Sequence, residues 1–214
     1  MKLYTANDYI RDTFGEKLYK ISLNAGTTCP NRDGTVGIGG CIFCSASGSG
    51  DFSENAELDI DSQIEQAKMR IAGKCRCKRF IAYFQSFTNT YGDPEILDII
   101  KEVSTVKPVW IELGLQTSNE KTALLINRGY ALGEYDKAMD NLKKLDVHII
   151  VHMIIGLPGE TKQDMISTVR YIADSGAGGI KLQLLHVLKN TVIEKMYING
   201  EFDVLTFDEY ADIL

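Results

Sequence analysis

Two hydrophobic patterns alternate along the chain. Short runs rich in β-branched and aromatic residues predict strands, and stretches with apolar residues three or four positions apart predict amphipathic helices. Strands that alternate with helices in this way are typical of an α/β protein. The predicted strands cover residues 19–23, 79–85, 109–116, 148–157 and 180–188. The predicted helices cover residues 60–71, 93–104, 135–145, 161–174 and 207–214.

Local signals mark the ends and the burial of several elements. Asp93 followed by Pro94 is typical of a helix start, with aspartate as the cap and proline in the first turn. Residues 161–164 read TKQD, which predicts a capping box for the next helix. The run at 148–157 is almost continuously apolar, as expected for a strand buried on both sides.

The alternation predicts parallel strands joined by right-handed crossovers. Five such strands can form an open doubly wound sheet or a partial barrel. In both architectures, the loops at the carboxyl ends of the strands hold the chemistry. The loop after the first predicted strand contains three of the five cysteines, so the candidate site lies there.

Composition and charge narrow the class of protein. With 214 residues and 44% hydrophobic content the chain can bury a core, and we expect one domain over residues 1–214. We find no bilayer-length apolar run and no signal-peptide stretch, so we expect a cytoplasmic protein without a membrane partner. A net charge of −6 argues against a chain-wide nucleic-acid surface. The last predicted helix is unfinished, from which we expect that the natural C-terminal end is missing.

Cys29, Cys41 and Cys44 are the candidate metal ligands. Five cysteines in a chain of this class indicate metal or redox chemistry rather than a disulfide framework. The cysteines are compatible with an iron–sulfur cluster, with a zinc site completed by Cys75, Cys77 or a histidine, or with a dithiol that would not need Cys29. The intervening glycines favour a loop that folds closely around an inorganic core. Three thiolates are one short of closing a four-iron cube, which leaves one iron able to bind another ligand.

This loop resembles the cluster motif of the radical S-adenosylmethionine (radical SAM) superfamily. Residues 28–34 read TCPNRDG and residues 39–44 read GGCIFC, as in a subgroup whose substrates are largely unassigned. Eleven residues separate Cys29 from Cys41, where the commonest motif of the superfamily has three, and the elongator catalytic subunit has a similarly widened first spacing. The resemblance runs from about Leu18 to the C-terminus.

The resemblance implies an α/β fold, a partial (β/α) TIM-type barrel of five to six parallel strands with the cluster loop after strand 1. In the subgroup we expect an additional strand and helix between the second and third strands. Here only one helix is predicted between Gln85 and Val109, which favours five strands.

The resemblance also implies a set of cofactor contacts. Cys29, Cys41 and Cys44 would each ligate one iron of a [4Fe–4S] cluster, and the fourth iron would bind S-adenosylmethionine (SAM). Three contacts with SAM are implied as well: Phe43 packs against the adenine, Gln116 contacts the ribose from the strand that contains Glu112, and Arg128 pairs with the methionine carboxylate.

Two further stretches are similar to SAM-binding segments of the superfamily. Residues 152–160 resemble its adenine-binding strand, so that His152 lies in the cofactor strand and the backbone of Ile154 would hold the base. Glu160 lies one position later than the glutamate of the superfamily pattern, and no ligand role is assigned to it. The segment from Gln85 to Asn89 occupies the place of a Gly-Gly-Glu motif that binds the methionine amine.

The function implied is that of a radical SAM enzyme with an unidentified substrate. One electron from the reduced cluster would split SAM into methionine and a 5′-deoxyadenosyl radical, which abstracts hydrogen from the substrate. An external reductant such as a flavodoxin or ferredoxin is implied. Two alternatives remain: a radical SAM enzyme that modifies RNA, by analogy with the elongator subunit, and a non-catalytic zinc or iron–sulfur module closed by Cys75 or Cys77.

Overall fold

The strands of the structure pair in parallel, as the alternating pattern predicts. A computed structural model of the chain describes residues 3–48, 50–74, 78–88 and 95–214. The chain divides into two compact units, unit 1 from Met1–Cys29 and Ala46–Asn89, and unit 2 from Pro30–Ser45 and Thr90–Leu214. Each unit contains a parallel sheet of its own. The expectation of a single domain stays a prediction.

Unit 1 contains a two-stranded parallel sheet. The buried side chain of Gln63 accepts a hydrogen bond from the Asn24 backbone N (2.8 Å) and donates to the Asn24 backbone O (3.0 Å). This pair of bonds ties a helix to the end of the first strand, just before the first cysteine. The elements of unit 1 are α1 (Ala6–Phe14), β1 (Tyr19–Leu23), α2 (Ile60–Ile71) and β2 (Phe80–Phe84).

Unit 2 contains a three-stranded parallel sheet in the order β3-β4-β5. Its helices α4 and α7 were not predicted from the sequence, and neither was α1 of unit 1. The elements are α3 (Ile96–Ser104), β3 (Trp110–Gln116), α4 (Glu120–Leu125), α5 (Leu132–Leu142), β4 (His148–Ile155), α6 (Lys162–Asp174), β5 (Gly179–Leu184), α7 (Val192–Ile198) and α8 (Phe207–Ile213).

One face of this sheet packs against helices. Val151 and Met153 of β4 are almost completely buried and belong to one cluster with Met139 of α5 and Met165 of α6. The alternate residues of β4, from His148 to His152, are only half-buried. The expectation of a strand buried on both sides is therefore wrong for most of β4, because its second face carries polar side chains.

Two strands end earlier than the sequence pattern predicts. β4 stops at Ile155 rather than at residue 157, because Gly156 adopts φ +85° and turns the chain out of the sheet. β5 stops at Leu184 rather than at residue 188, and Leu185 makes its backbone bond to Ile155, the last residue of β4 (2.9 Å). One turn therefore ends both strands.

The remaining sequence predictions concern helix ends and membrane spans. The capping box at Thr161 and Asp164 is present. The predicted helix start at Asp93 and Pro94 lies outside the described residues, and the described helix begins at Ile96. Within the described ranges, we find no helix with the length and apolar content needed to span a membrane.

Candidate metal and cofactor site

Cys41 and Cys44 lie in a short turn that is fastened to the body of unit 2. The Cys44 N–H donates to the Cys41 carbonyl (3.1 Å), which closes the turn. Between them, Ile42 donates its N–H to the Ile126 carbonyl (3.0 Å) and accepts at its own carbonyl from Ile193 N (3.1 Å). Ile42 is 9% exposed, so apolar packing reinforces both bonds. The two cysteines are therefore presented by a turn whose backbone is already fixed.

A second set of contacts holds the residues before this turn. Asn127 adopts a left-handed backbone conformation (φ +53°), and its side chain donates to the Gly40 carbonyl (2.8 Å). The side-chain nitrogen of Asn31 donates to the Asn127 carbonyl (2.5 Å) and lies 3.9 Å from the Cys41 sulfur. Two asparagines distant in sequence therefore meet beside the same cysteine.

Arg32 contacts the other end of the turn. Its guanidinium donates to the carbonyls of Ser45 (2.6 Å) and Cys44 (3.4 Å). A Cβ atom on Gly40 would lie 2.6 Å from the Arg32 side chain, so glycine is required where the arginine crosses. The residues between Cys29 and Cys41 thus act as part of the site and not only as a spacer.

Cys29, the third predicted ligand, belongs to unit 1. The adjacent Thr28 carbonyl accepts from Thr88 N (3.2 Å), and the residues Cys29, Cys41 and Cys44 are all half-buried. Among residues 3–48, 50–74, 78–88 and 95–214, no group of three His, Cys, Asp or Glu side chains is placed to hold a single metal ion. Cys75 and Cys77 lie outside the described residues. All three ligand assignments stay predictions.

Gln116 closes β3 in an unusual conformation. Its φ is +68°, the pairing of β3 with β4 is irregular between Gly114 and Gln116, and the side chain folds back over Gly114. The Oε1 atom is buried and has no hydrogen-bond partner among the described residues. A buried acceptor of this kind fits a ligand that brings a hydroxyl group, such as the ribose of SAM. The ribose contact itself stays a prediction.

Arg128 is almost completely buried and binds the loop that follows β3. Its guanidinium donates to the carbonyls of Thr117 (2.7 Å), Tyr130 (3.0 Å) and Leu115 (3.3 Å), and it pairs with Glu120 (3.4 Å). The structure therefore gives Arg128 a structural role at the end of β3. Its predicted contact with the methionine carboxylate stays a prediction.

Three polar side chains meet on the face of the sheet opposite to Val151 and Met153. One carboxylate oxygen of Glu112 on β3 makes both contacts. It accepts a hydrogen bond from Lys181 of β5 (3.1 Å), and it lies 2.6 Å from Nε2 of His152 on β4. Since a carboxylate that binds an ammonium group can only accept, Nε2 of His152 carries the proton. In the neutral ring Nδ1 is then an acceptor. Glu112 and His152 were predicted at the cofactor site, and Lys181 was missed.

The remaining predicted contacts fall in both units. Phe43 and Ile154 belong to one apolar cluster of unit 2, and Ile154 lies one residue beyond the last pair between β3 and β4. Gln85 belongs to unit 1, where its N–H donates to the Leu23 carbonyl (3.3 Å) and its side chain accepts from Ser22 (3.2 Å). Asn89 lies outside the described residues.

Sequence reasoning missed Asn31, Arg32, Asn127 and Lys181. The first two lie in the motif around Cys29, and Asn127 precedes a residue that was singled out. Their position in these motifs is the only signal in the sequence, because their partners are backbone groups or lie far along the chain. Lys181 has no such signal.

Comparison with known proteins gives the family. The family model described as the radical SAM superfamily matches residues 69–172. An uncharacterised protein of Bacillus subtilis, YtqA, is 37% identical over 243 residues, covering 100% of this chain and 76% of the relative. The chain belongs to the radical SAM superfamily. Members use a [4Fe–4S] cluster and SAM, which confirms the predicted enzyme class and cofactors.

Two solved structures are similar in fold to this radical SAM protein. The solved structure of Escherichia coli coproporphyrinogen III oxidase, HemN, gives a TM-score of 0.57 at 12% identity, covering 98% of this chain and 54% of that one. The Elp3 structure of Methanocaldococcus infernus gives a TM-score of 0.56 at 18% identity, covering 96% and 46%. The chain thus spans about half the length of each solved structure. These likenesses confirm the predicted fold class, a partial (β/α) TIM-type barrel.

A tRNA-2-methylthio-N(6)-dimethylallyladenosine synthase of Lawsonia intracellularis is 31% identical to this radical SAM protein over 104 residues. The matched part covers 48% of this chain and 21% of the synthase. The similarity is therefore confined to part of each protein.

Proposed function

We propose that this protein cleaves SAM reductively at a [4Fe–4S] cluster held by Cys29, Cys41 and Cys44. When bound and reduced, the cluster supplies one electron to the sulfonium of SAM, giving methionine and a 5′-deoxyadenosyl radical that abstracts hydrogen from a substrate. The observation that carries the proposal is the turn at Cys41 and Cys44, whose backbone is fixed by the bonds of Ile42 to Ile126 and Ile193. A fixed turn reduces the entropy lost when ligands assemble around a metal.

The residues around this turn fit SAM. Gln116 offers a buried acceptor for a ribose hydroxyl, and the neighbouring apolar cluster with Phe43 and Ile154 offers a surface for the adenine. On the face of the sheet opposite to Val151 and Met153, His152 is held by Glu112 so that Nδ1 of the neutral ring can accept a hydrogen bond from a bound hydroxyl. Gln85, Asn89 and Arg128 complete the proposed set of contacts around the methionine part of SAM.

The protein needs an external electron donor, and we propose a flavodoxin or ferredoxin for this role. Its location would be the cytoplasm, where thiols stay reduced until a cluster is loaded. The hydrogen donor is an unidentified substrate.

The decisive experiment is anaerobic reconstitution with iron and sulfide, followed by dithionite and SAM. We expect about four irons and four sulfides per chain, and 5′-deoxyadenosine by chromatography. Cys29→Ala, Cys41→Ala and Cys44→Ala should abolish the product, whereas Cys75→Ser and Cys77→Ser serve as matched controls and should retain it. Stoichiometric zinc without iron, released by Cys75→Ser or Cys77→Ser, would instead establish the non-catalytic module.

A second proposal specifies RNA as the substrate. The supporting observation is the partial similarity to the tRNA-modifying synthase. If RNA is the substrate, adding unmodified tRNA to the reconstituted protein should increase 5′-deoxyadenosine formation and alter one nucleoside by mass spectrometry. Release of 5′-deoxyadenosine at the same rate with and without tRNA, with every nucleoside mass unchanged, would reject RNA and leave SAM cleavage in place.

A further inference from the structure

Asn31 is a buried polar residue whose side chain lies beside a predicted cluster ligand. It is 4% exposed, and its amide nitrogen lies 2.5 Å from the Asn127 carbonyl and 3.9 Å from the Cys41 sulfur. A side-chain amide carries two N–H groups. One is used by the carbonyl, and the second is directed to the sulfur.

The orientation of this amide is determined by its neighbours. The Asn127 carbonyl can only accept, so the group that faces it must be the nitrogen and not the oxygen of Asn31. On the oxygen side, a Cβ atom on Gly37 would lie 2.2 Å from Oδ1, and one on Gly129 would lie 2.5 Å from it. Two glycines therefore leave space for the oxygen, and the nitrogen stays beside Cys41.

The position of the N–H group has an electrostatic consequence. Reduction adds one negative charge to an iron–sulfur cluster, and part of that charge resides on the ligating sulfurs. A hydrogen-bond donor to such a sulfur stabilises the reduced form more than the oxidised form, and so raises the reduction potential. Arg32 adds a positive charge on the same loop through its bonds to the Cys44 and Ser45 carbonyls.

We propose that Asn31 is a positioning residue that raises the reduction potential of the cluster through a hydrogen bond from its amide to the Cys41 sulfur. This inference rests on the proposed function, since it requires the cluster to be bound at Cys41. Its role is to bring the cluster within reach of a biological electron donor. The widened segment between Cys29 and Cys41, which contains Asn31, thereby has a redox function.

The test is a redox titration of the reconstituted protein without SAM, followed by electron paramagnetic resonance. Asn31→Ala removes both N–H donors, and Asn31→Leu removes them while keeping a side chain of similar size and no charge. Each variant should make reduction about tenfold less favourable, as expected for one lost hydrogen bond to a charged group, which is a fall of about 59 mV for one electron. Asn141→Ala, at an exposed asparagine of α5, is the matched control and should leave the midpoint unchanged.

Iron and sulfide contents separate the outcomes. If the unaltered protein binds no iron, the proposed function fails and this inference fails with it. If the Asn31 variants load a full cluster with an unchanged midpoint, the redox role is wrong while the proposed function stands. Loss of the cluster from both variants would also overturn the redox role, because Asn31 would then be needed to hold the loop.

Discussion

At the scale of single residues, the site is built from side chains in unusual backbone positions. Gln116 and Asn127 both have positive φ values, +68° and +53°, without being glycine. Such conformations cost on the order of 1 kcal/mol or more and persist where the surroundings enforce them. In this protein they direct one side chain back over β3 and the other toward Gly40. The strain lies where the proposed cofactor contacts are found.

Gln116→Leu tests the unpaired oxygen of this residue. We expect the dissociation constant for SAM to rise about tenfold, or ~1.4 kcal/mol, because the variant keeps the size of the side chain and removes the acceptor. Stability against urea should stay equal or increase, since a buried unpaired oxygen is lost. Equilibrium dialysis of the reconstituted protein measures the affinity. Gln163→Leu, on the exposed side of α6, is the control. Unchanged SAM affinity would exclude Gln116 from the binding site.

Arg128→Lys tests the structural role of the arginine. The variant loses most of the bonds to the carbonyls of Leu115, Thr117 and Tyr130, so we expect the free energy of unfolding to fall by about 2–4 kcal/mol. Urea denaturation of the protein without cofactors measures it. Arg170→Lys on α6 is exposed and should change stability by less than about 0.5 kcal/mol. If stability is unchanged while SAM binding is lost, Arg128 is a cofactor ligand rather than a support for β3.

At the scale of elements, the connection from β4 to α6 contains a partly buried carboxyl group, that of Glu160. Burial raises the pKa of Glu160 above its usual value, and one of its carboxylate oxygens has no partner among the described residues. Its other oxygen accepts a hydrogen bond from Thr117 in the loop after β3. Glu160 therefore links the ends of two adjacent strands, and folding makes its ionisation less favourable.

Glu160→Gln should make stability less dependent on pH. In the unfolded chain the glutamate loses its proton near pH 4.5, the ordinary value, whereas the folded protein retains it to a higher pH. Its contribution to stability is therefore fully present below about pH 4.5 and decreases as the pH rises through the folded pKa. The variant should gain stability relative to the unaltered protein between pH 4.5 and pH 7.5 in urea titrations. A constant difference across this range would refute the assignment.

The ends of elements show what sequence can and cannot predict. The capping box at Thr161 was predicted correctly because both of its partners lie within four residues. The end of β5 was predicted wrongly because it depends on Gly156, which ends the neighbouring strand. The same limit applied to the site: the cysteines could be identified from spacing, but Asn31 acts on Cys41 and Asn127 through contacts that no local pattern shows.

At the scale of the whole molecule, β4 is the strand most deeply buried from solvent. It lies between β3 and β5, and Val151, Met153 and Ile155 are at most 1% exposed. The alternation of strands and helices was sufficient to predict parallel pairing. It could not predict the division into two units, because the chain enters unit 2 at Pro30–Ser45 and returns to unit 1 before the main body of unit 2 begins.

Hydrogen exchange should be slowest in β4 and faster in the less buried elements. We expect the backbone amides of Val151, Met153 and Ile155 to exchange most slowly, those of β1 and β2 faster, and those of α8, which has no buried residue, fastest. Mass spectrometry of peptides from each element measures the rates. Amides of β1 that exchange as slowly as those of β4 would contradict it.

The two glycines beside Asn31 have a consequence for variation among related proteins. Gly37 and Gly129 lie far apart along the chain, yet a side chain at either one would collide with the same oxygen atom. Mutations at these two positions should therefore show epistasis: each is deleterious alone, and a smaller residue 31 should relieve the collision with the oxygen at both. Only the Gly37 substitution should become tolerable in this way, because Gly129 adopts φ +83° and keeps a separate backbone cost. In a family of such sequences, residues 31 and 37 would change together, whereas residue 129 would stay glycine.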